Sequence, residues 1–379
     1  MNTTQNKTQK NSSLAIWLGL TGLLTLIGIA AWIVQLVKGI GITNQSNLEP
    51  WGIYIAGFIF FMGLSAGSLV LAALPVLFDL PKFRPYAKIA AFVALIALIA
   101  GGLFILVDVG KPERLWRLVR FAHLGSPMLW DLLVTIVYLI ISTLFLRRLM
   151  GSSKTDGMLK VLAWLALAAG IADMVTGFVF ATQVAHAFWY SAVQPISFFV
   201  AALGSAGAII LLVMVVLKAS GKVALDCCDL QPVVNLTAIA LVIDLLLVAS
   251  EIITLAFTRS VNSLELVRFM VASPLYWFEV ATGLIVIVLL LLPATRRVPS
   301  WIAFAAVLAL VDLAVKRFLF IQMGFAEPNI QYAGVAIAPS RAYIPSLVEW
   351  GLVIGLVGLF TLLLVIGFRT LRLSAEQKA

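Results

Sequence analysis

The chain has few of the residues that bind metals or crosslink a fold. Its 379 residues include two cysteines and two histidines. Cys227 and Cys228 are adjacent, and neighbouring cysteines form neither an ordinary structural disulfide nor a four-ligand zinc site. Two cysteines are also too few for an iron–sulfur cluster. His123 stands in a predicted loop and His186 at a predicted helix end, so the axial pair that a membrane haem needs inside helices is missing. The sequence therefore predicts no metal and no bound cofactor in this chain.

Charged residues are scarce as well. They make up 11% of the chain, against 62% hydrophobic residues, and the mean hydropathy is +1.09. This balance excludes a soluble domain and is typical of a polytopic membrane protein. The net charge of +9 does not indicate nucleic-acid binding. Lys and Arg in cytoplasmic loops account for it, because that bias sets the orientation of membrane helices.

Apolar segments long enough to cross about 30 Å of hydrocarbon follow one another along the whole chain. We expect about ten transmembrane helices, approximately at residues 14–38, 51–78, 86–108, 127–148, 158–181, 194–217, 232–258, 274–293, 299–323 and 344–370. The fold class is thus all-α, with a transmembrane domain over 14–370. The polar tail 1–13 is expected to be disordered, and 371–379 forms a second tail.

Lys and Arg are divided unequally between the two predicted sides. With the N-terminus inside, the cytoplasmic segments hold roughly twice as many as the outer segments. Both termini are therefore expected in the cytoplasm, and the loop 108–131 outside.

Two sequence patterns recur at nearly one offset. The segment 126–131 (Ser-Pro-Met-Leu-Trp-Asp) resembles 273–279 (Ser-Pro-Leu-Tyr-Trp-Phe-Glu), and 60–67 resembles 198–207. Proline suits the first turn of a helix, and the serine before it is a good cap. We predict two parallel-related four-helix bundles, at about 51–181 and 194–323, with the first and last helices peripheral. Chance similarity between apolar helices is the alternative.

Polar and charged side chains inside apolar segments indicate functional sites, because a bilayer penalises them. Most lie towards the outer ends of their helices. In the first bundle they are Asp131, Asp173, Thr176, Gln183 and His186, with Trp130 and Trp189 beside two of them as pocket walls or interfacial anchors. In the second half they form a predicted polar cluster of Glu251, Glu279, Asp312, Arg317 and Glu349.

Each of these sites also has a plainer explanation. Asp131 and Glu279 stand near helix starts, where the helix dipole alone favours a carboxylate. Asp312 can pair with Lys316 four residues on, and with Arg317 the three would then form an ion-pair knot that joins helices.

The loop 108–131 carries a cluster of charges that suits a docking surface. The predicted partner interface comprises Asp108, Lys111, Arg114 and Arg117. Its basic groups can pair with acidic groups of a partner or with lipid phosphates.

Four passages resemble the NrfD-like family, the membrane subunits of polysulfide reductase type. They are 50–54 through 63–67, 108–116 through 126–131, 176–178 through 186–189 with Pro195, and 343–346 with Glu349. The last two passages, with Trp277 and Glu279, also resemble the ten-helix branch, which includes hydrogenase-2 and sulfite-reductase-associated membrane subunits.

The resemblance implies a quinone-interacting membrane anchor without a cofactor of its own, in the inner membrane of a prokaryote. Quinone or menaquinone would be its substrate, in a quinol-oxidising half-reaction. A ferredoxin-like iron–sulfur subunit would dock on the outer face, joined to a molybdopterin catalytic subunit or a hydrogenase. Family quinone ligands on the second and fifth helices are replaced here by Ile55, Phe58 and Val175. Asp131 and His186 are instead the expected bases, with the other polar residues of the first bundle around the quinone ring.

Two other classes compete. A secondary transporter suits repeated bundles and mid-membrane acids, but it usually has inverted repeats and a site at the midplane. A purely structural anchor would not need Asp131 or Asp173.

Overall fold

The computed structural model describes residues 2–121, 123–151, 156–174, 176–184, 186, 188–221, 229–258, 261–326, 331–332, 335–336 and 343–370. The adjacent cysteines and the tail 371–379 lie outside these ranges. The predicted fold class is confirmed: the chain is an all-α polytopic membrane protein. Within the described residues, eight helices are long and apolar enough to cross a membrane.

Thirteen helices follow one another in the described part of the chain. They are α1 (Asn2–Lys38), α2 (Ile53–Leu77), α3 (Arg84–Asp108), α4 (Trp116–Arg120), α5 (Pro127–Gly151), α6 (Gly157–Met174), α7 (Thr176–Ala181), α8 (Val193–Ala219), α9 (Gln231–Thr258), α10 (Val261–Ala272), α11 (Pro274–Leu291), α12 (Pro299–Phe325) and α13 (Leu347–Thr370). Short 3-10 helices lie at Ile40–Ile42 and Pro112–Arg114, and two-residue strands β1 (Gln331–Tyr332) and β2 (Val335–Ala336) pair antiparallel.

The helices match the predicted segments with two differences. In the segment 158–181 the structure describes α6 and α7, which lie on either side of residue 175, itself outside the described residues. The short helix α10 occupies a stretch that hydrophobic length alone did not mark. Helix α1 begins at Asn2, so residues 2–13 are helical rather than disordered. They contain neither proline nor glycine, and extending an existing helix is easier than starting one.

Helix packing divides the molecule into two rings of four. In one ring α2 packs against α3 and α6, and α5 completes the circuit; in the other α8 and α11 each pack against α9 and α12. Helices α2 and α8 join the rings, while α1 and α13 pair outside them and α13 rests on α3. The repeat that would relate the two rings stays a prediction.

Glycines allow two of these contacts. A Cβ atom on Gly28 of α1 would lie 2.5 Å from the Gly355 Cα atom of α13. A Cβ atom on Gly67 would lie 2.1 Å from the Ala202 carbonyl oxygen of α8. The backbones can approach this closely only because both positions lack side chains, which is how small residues drive helix packing in membranes.

The starts of α5 and α11 share one local structure. The Trp130 indole Nε1 donates to the Leu124 carbonyl oxygen at 2.7 Å, and Trp277 Nε1 donates to the Val271 carbonyl oxygen at 2.8 Å. Each tryptophan thus ties its helix start to the residue six positions earlier. The expected serine cap is absent at α11, because Ser273 makes no side-chain cap hydrogen bond.

Candidate functional site

Buried polar chemistry lies at one end of the bundle. We call it the Asp108 end: α2, α8, α11 and α13 begin there, and α3, α7, α9 and α12 end there. At the opposite end, the ion pairs Arg84–Asp79 and Arg148–Asp156 join exposed side chains. The Arg148 guanidinium holds the pKa of the Asp156 carboxyl below its ordinary value.

The His186 imidazole binds a backbone carbonyl group. Its Nδ1 atom lies 2.6 Å from the Gly324 carbonyl oxygen, near the end of α12. A carbonyl oxygen only accepts hydrogen bonds, so Nδ1 carries the hydrogen. In the neutral ring the lone pair is therefore on Nε2, which makes that atom the proton acceptor. The His186 residue is half-buried.

Aromatic rings surround this histidine. The Trp189 ring lies 4.4 Å from the His186 ring, centroid to centroid, and the Trp51 ring stacks on Trp189 at 5.5 Å. Phe180 and Phe325 contact the same indole edge to face. Trp189 is 1% exposed, and its Nε1 donates to the Phe320 carbonyl oxygen at 2.9 Å. Trp189 is therefore a buried support for His186 rather than an open pocket wall.

Trp130 has a different position from Trp189. Its ring is 54% exposed, with the indole nitrogen bound to Leu124. This is the geometry of an interfacial anchor, whose ring sits at the membrane surface with its N–H satisfied. Trp51 was not among the predicted site residues, although its position two residues before α2 places it in the cluster.

Asp131 and His186 belong to different segments of the first bundle. Asp131 is half-buried and is the fifth residue of α5, a helix that packs against α3 and α6, whereas His186 contacts α12. The first turn of α5 contains no acidic residue, and the dipole effect falls off within that turn. Helix-start electrostatics therefore explains Asp131 poorly, and the same holds for Glu279 in α11.

The remaining predicted quinone ligands lie near the join of α6 and α7. Asp173 is in α6 and Thr176 opens α7, but their side chains lie outside the described part of the structure. The Gln183 amide donates to the Val179 carbonyl oxygen at 3.1 Å and is half-buried.

The predicted partner interface separates into a tether and an exposed surface. Asp108 accepts a hydrogen bond from Gln45 Nε2 at 3.0 Å, so its carboxylate ties α3 to the chain after α1. Lys111, Arg114 and Arg117 are exposed. Nearby, Arg117 and Arg120 lie over the Trp116 ring at 5.8 and 5.9 Å. The basic groups thus form a surface that a partner can reach.

Glu349 does not belong to the second-bundle cluster. It is completely buried, and it accepts hydrogen bonds from the Tyr343 hydroxyl, the Ser346 backbone N–H at 2.7 Å and the Asn44 backbone N–H at 3.1 Å. With the Ser346 hydroxyl accepting from the Glu349 N–H, the pair forms a capping box at the start of α13. The spacing Ser346-x-x-Glu349 was visible in the sequence. The prediction placed Glu349 wrongly because depth in a helix says nothing about which neighbour a side chain faces.

Tyr343 connects this cap to α2. Its oxygen accepts a hydrogen bond from the Ile53 N–H at 3.2 Å while its hydroxyl donates to Glu349. Burial, and then the bond to Glu349, raise the pKa of the Tyr343 phenol above its ordinary value, so it stays a donor. The hydrogen bonds of Tyr343 and Glu349 thus join the ends of α1, α2 and α13 at the Asp108 end.

The other four members of the predicted second-bundle cluster do lie in that bundle. Glu251, Glu279 and Arg317 line one small cavity between α8, α9, α11 and α12. Gln194, which the sequence prediction missed, donates to the Glu251 carboxylate. Asp312 is buried nearby and accepts from the Thr282 hydroxyl at 2.5 Å.

Lys316 pairs across helices rather than along its own. Its Nζ atom lies 2.6 Å from the Asp244 carboxylate of α9, not beside Asp312 as the four-residue spacing suggested. Within the described residues, no group of three or more His, Cys, Asp or Glu side chains is arranged to hold a metal ion.

Comparison with known proteins identifies the family. The family described as "Polysulphide reductase, NrfD" matches residues 41–329. The chain belongs to the NrfD family. This NrfD protein is similar to a putative dimethyl sulfoxide reductase membrane subunit of Halobacterium salinarum, at 29% identity over 94% of this chain and 91% of that protein.

Two further relatives cover the NrfD chain as fully. A selenate reductase subunit of Mesobacillus selenatarsenatis is 25% identical over 94% of this chain and 93% of its own length. The Hdr-like menaquinol oxidoreductase integral membrane subunit of Archaeoglobus fulgidus is 27% identical over 93% of this chain and 92% of its own length.

Proposed function

We propose that this chain is the quinol-interacting membrane subunit of a respiratory oxidoreductase. Two relatives are named as membrane subunits of oxidoreductases, and one of those names includes menaquinol as substrate. The match extends over nearly the whole length of each protein, which supports the same role in an assembly for this chain. We propose the inner membrane of a prokaryote as its location, with both termini cytoplasmic.

The observation that carries the quinol assignment is the hydrogen bond from His186 to Gly324. It leaves Nε2 as the acceptor of a half-buried ring that lies among buried aromatic side chains. A quinol ring is flat and apolar with a hydroxyl group at each end. An imidazole acceptor beside aromatic rings matches both properties.

Oxidation of quinol releases two protons and two electrons. One hydroxyl of a quinol that arrives laterally from the lipid donates to His186 Nε2, which takes the proton as a general base. Asp131 is the second proposed acceptor, and Asp173, Thr176 and Gln183 are candidate contacts of the quinone in the first bundle. The electrons leave through the Asp108 end to the partner. Run in reverse, the same groups supply protons to a quinone.

The partner's docking surface follows from the exposed charges of the 109–126 segment. Lys111, Arg114 and Arg117 extend into solvent next to the end of α3. They suit an acidic face on a ferredoxin-like iron–sulfur subunit, itself bound to a molybdopterin catalytic subunit or a hydrogenase. Charge complementarity of this kind steers docking and fixes its orientation.

A secondary transporter remains the competing class because acids lie deep in the second bundle. Asp244 of α9 pairs with Lys316 of α12, and Asp312 of α12 accepts a hydrogen bond from Thr282 of α11. These bonds give both acids a role in helix packing, which weakens the need for a transported substrate.

Purification in mild detergent tests the proposal. We expect an iron–sulfur subunit to co-purify with the chain, and the complex to bind a quinol analogue and oxidise quinol. Purified chain that carries no iron–sulfur partner and binds no analogue would contradict the proposed function.

A further inference from the structure

The cavity of the second bundle is small, polar and close to the Asp108 end. Its volume is about 30 Å³, which is room for one or two water molecules. It is too small for a quinone ring. Its lining combines apolar side chains with a convergent polar group made of Gln194, Glu251, Glu279, Lys316 and Arg317. We call it the Glu279 cavity.

Arg317 has a hydrogen-bond donor that needs a partner in this cavity. The side chain is 3% exposed, and its Nη1 atom is buried without a hydrogen-bond partner among the described residues. The guanidinium lies over the Phe198 ring at 4.1 Å. This cation–π contact stabilises the positive charge, but it provides no hydrogen-bond acceptor for Nη1. Buried donors in native proteins are almost always paired with protein or ordered water. The cavity has room for a water molecule, which can accept a hydrogen bond from this donor.

Acids outnumber bases around the cavity. Helix α8 contributes the uncharged polar residues Gln194 and Ser197, and α10 contributes the apolar Met270. The ionisable groups come from the other three helices: Asp244 and Glu251 of α9, Tyr276 and Glu279 of α11, and Asp312, Lys316 and Arg317 of α12. Lys316 is paired with Asp244. One cation, Arg317, is then left for three carboxyl groups. Uncompensated charge is strongly disfavoured in a buried site, so the acids retain protons.

We propose that the Glu279 cavity is a hydrated proton-binding site. Water joins Arg317 Nη1 to the carboxyl groups of Glu251 and Glu279, and these carboxyl groups take up a proton from the water and return it. The ligand is thus water together with an exchangeable proton, and no other bond is made or broken. The site is separate from His186 and does not depend on the quinol assignment.

The surrounding sequence limits the side from which protons arrive. Glu251 lies two turns before the end of α9, and Glu279 is the sixth residue of α11, so both are near the Asp108 end. Towards the other end, residues 284–291 of α11 and 302–311 of α12 contain no polar side chain. The one polar group on the facing part of α9, residues 236–243, is Thr237, whose hydroxyl is bonded to the Val233 carbonyl oxygen. On α8 this stretch carries Ser205, whose hydroxyl donates to the Ala202 carbonyl oxygen at 2.9 Å. Protons therefore exchange with the Asp108 end.

Infrared difference spectroscopy of the purified complex, titrated with pH, tests this site. A protonated carboxyl group has a C=O band that an ionised carboxylate lacks. We expect a carboxyl band that grows as the pH falls, shifts in D₂O, and is lost in Glu279→Gln. The matched control Glu265→Gln removes an exposed acid of α10 that pairs with Arg268, and it should leave the band unchanged.

A second variant and a measurement in proteoliposomes complete the test. Where Glu279→Gln fails to assemble, Glu279→Asp keeps a carboxyl group at this position and should retain the band at a shifted frequency. In oriented proteoliposomes the band should follow the pH on the Asp108 side only. Spectra of Glu279→Gln and Glu251→Gln that overlay the parent spectrum would overturn the proposal, and so would a band that does not respond to D₂O or that follows the opposite side.

Discussion

His186 donates its Nδ1 hydrogen to the Gly324 carbonyl oxygen at 2.6 Å, and this contact decides which nitrogen can accept a proton. The two residues lie 138 positions apart in the chain. His186 follows α7, and Gly324 is in the last turn of α12. The proposed proton acceptor of the first bundle is thus oriented by the last helix of the second bundle.

Gly324 offers a test of this arrangement without touching the histidine. A Cβ atom there would lie 1.9 Å from the Trp189 ring, so Gly324→Ala must displace the indole on which His186 rests. Overpacking of this kind costs about 1–3 kcal/mol. We expect a lower melting temperature and at least tenfold weaker binding of a quinol analogue. Gly102→Ala is the matched control, because nothing lies within 4 Å of its Cβ position. Equal binding by both variants would show that the Trp189 support has no effect on the site.

Asp131→Asn distinguishes a proton acceptor from a helix-start charge. Asparagine keeps the size of the side chain but cannot take up a proton, and Asp131 lies beyond the first turn of α5. General base groups contribute about 10²–10⁴-fold to rate. We expect quinol oxidation to fall at least tenfold while the complex assembles normally. Asp79→Asn, at an exposed acid of the opposite end, is the control and should keep full activity. Unchanged turnover in Asp131→Asn with a lowered melting temperature would support the helix-start explanation instead.

Glu349→Gln should destabilise the protein without a specific effect on quinol chemistry. The buried carboxylate accepts hydrogen bonds from Tyr343, Ser346 and Asn44. The neutral amide of glutamine makes weaker hydrogen bonds, and its NH₂ group would face one of these three donors, which then loses its acceptor. Leaving a buried donor unsatisfied costs about 1–3 kcal/mol. Thermal unfolding in detergent measures this loss. Tyr343→Phe removes one of the three donors and should lower the melting temperature less. A Glu349→Gln protein as stable as its parent would contradict the capping-box assignment.

Charge reversal on the 109–126 segment tests the docking surface. Arg114→Glu with Arg117→Glu replaces two exposed cations by anions next to the proposed partner. We expect at least tenfold weaker association of the iron–sulfur subunit, with a difference that shrinks at high salt because exposed charges are screened. The control Arg147→Glu changes an exposed cation at the opposite end. Unchanged association of the double variant would place the partner elsewhere.

Much of the fold follows from hydrophobic length. Each of the ten predicted segments contains a helix, because about 20 apolar residues suffice to cross a bilayer wherever they occur in the chain. Gly63 and Gly67 form a GxxxG pattern, which is typical of close helix packing in membranes, and Gly67 lies against Ala202. Length gave no information about α10, since that helix does not depend on apolar extent.

The site was less accessible to sequence reasoning, because it depends on which helices meet. Lys316 pairs with Asp244 on α9 rather than with Asp312 on its own helix, and no spacing within α12 reveals that preference. Trp189 and His186 were recognised by residue type, but the carbonyl that orients the imidazole belongs to a distant glycine. Glu349 was the avoidable error, since Ser346-x-x-Glu349 is a local signal for a cap.

The most direct test of the central claim is quinol-analogue binding to the purified complex with each of the two histidines replaced in turn. His186→Ala removes the Nε2 acceptor, and we expect at least tenfold weaker binding. His123→Ala removes an exposed ring of the 109–126 segment whose Nδ1 accepts from the nearby Gly125 N–H at 3.2 Å, and it should bind as the parent does. Parent-like binding by an assembled His186→Ala complex would contradict the account and remove His186 from the site.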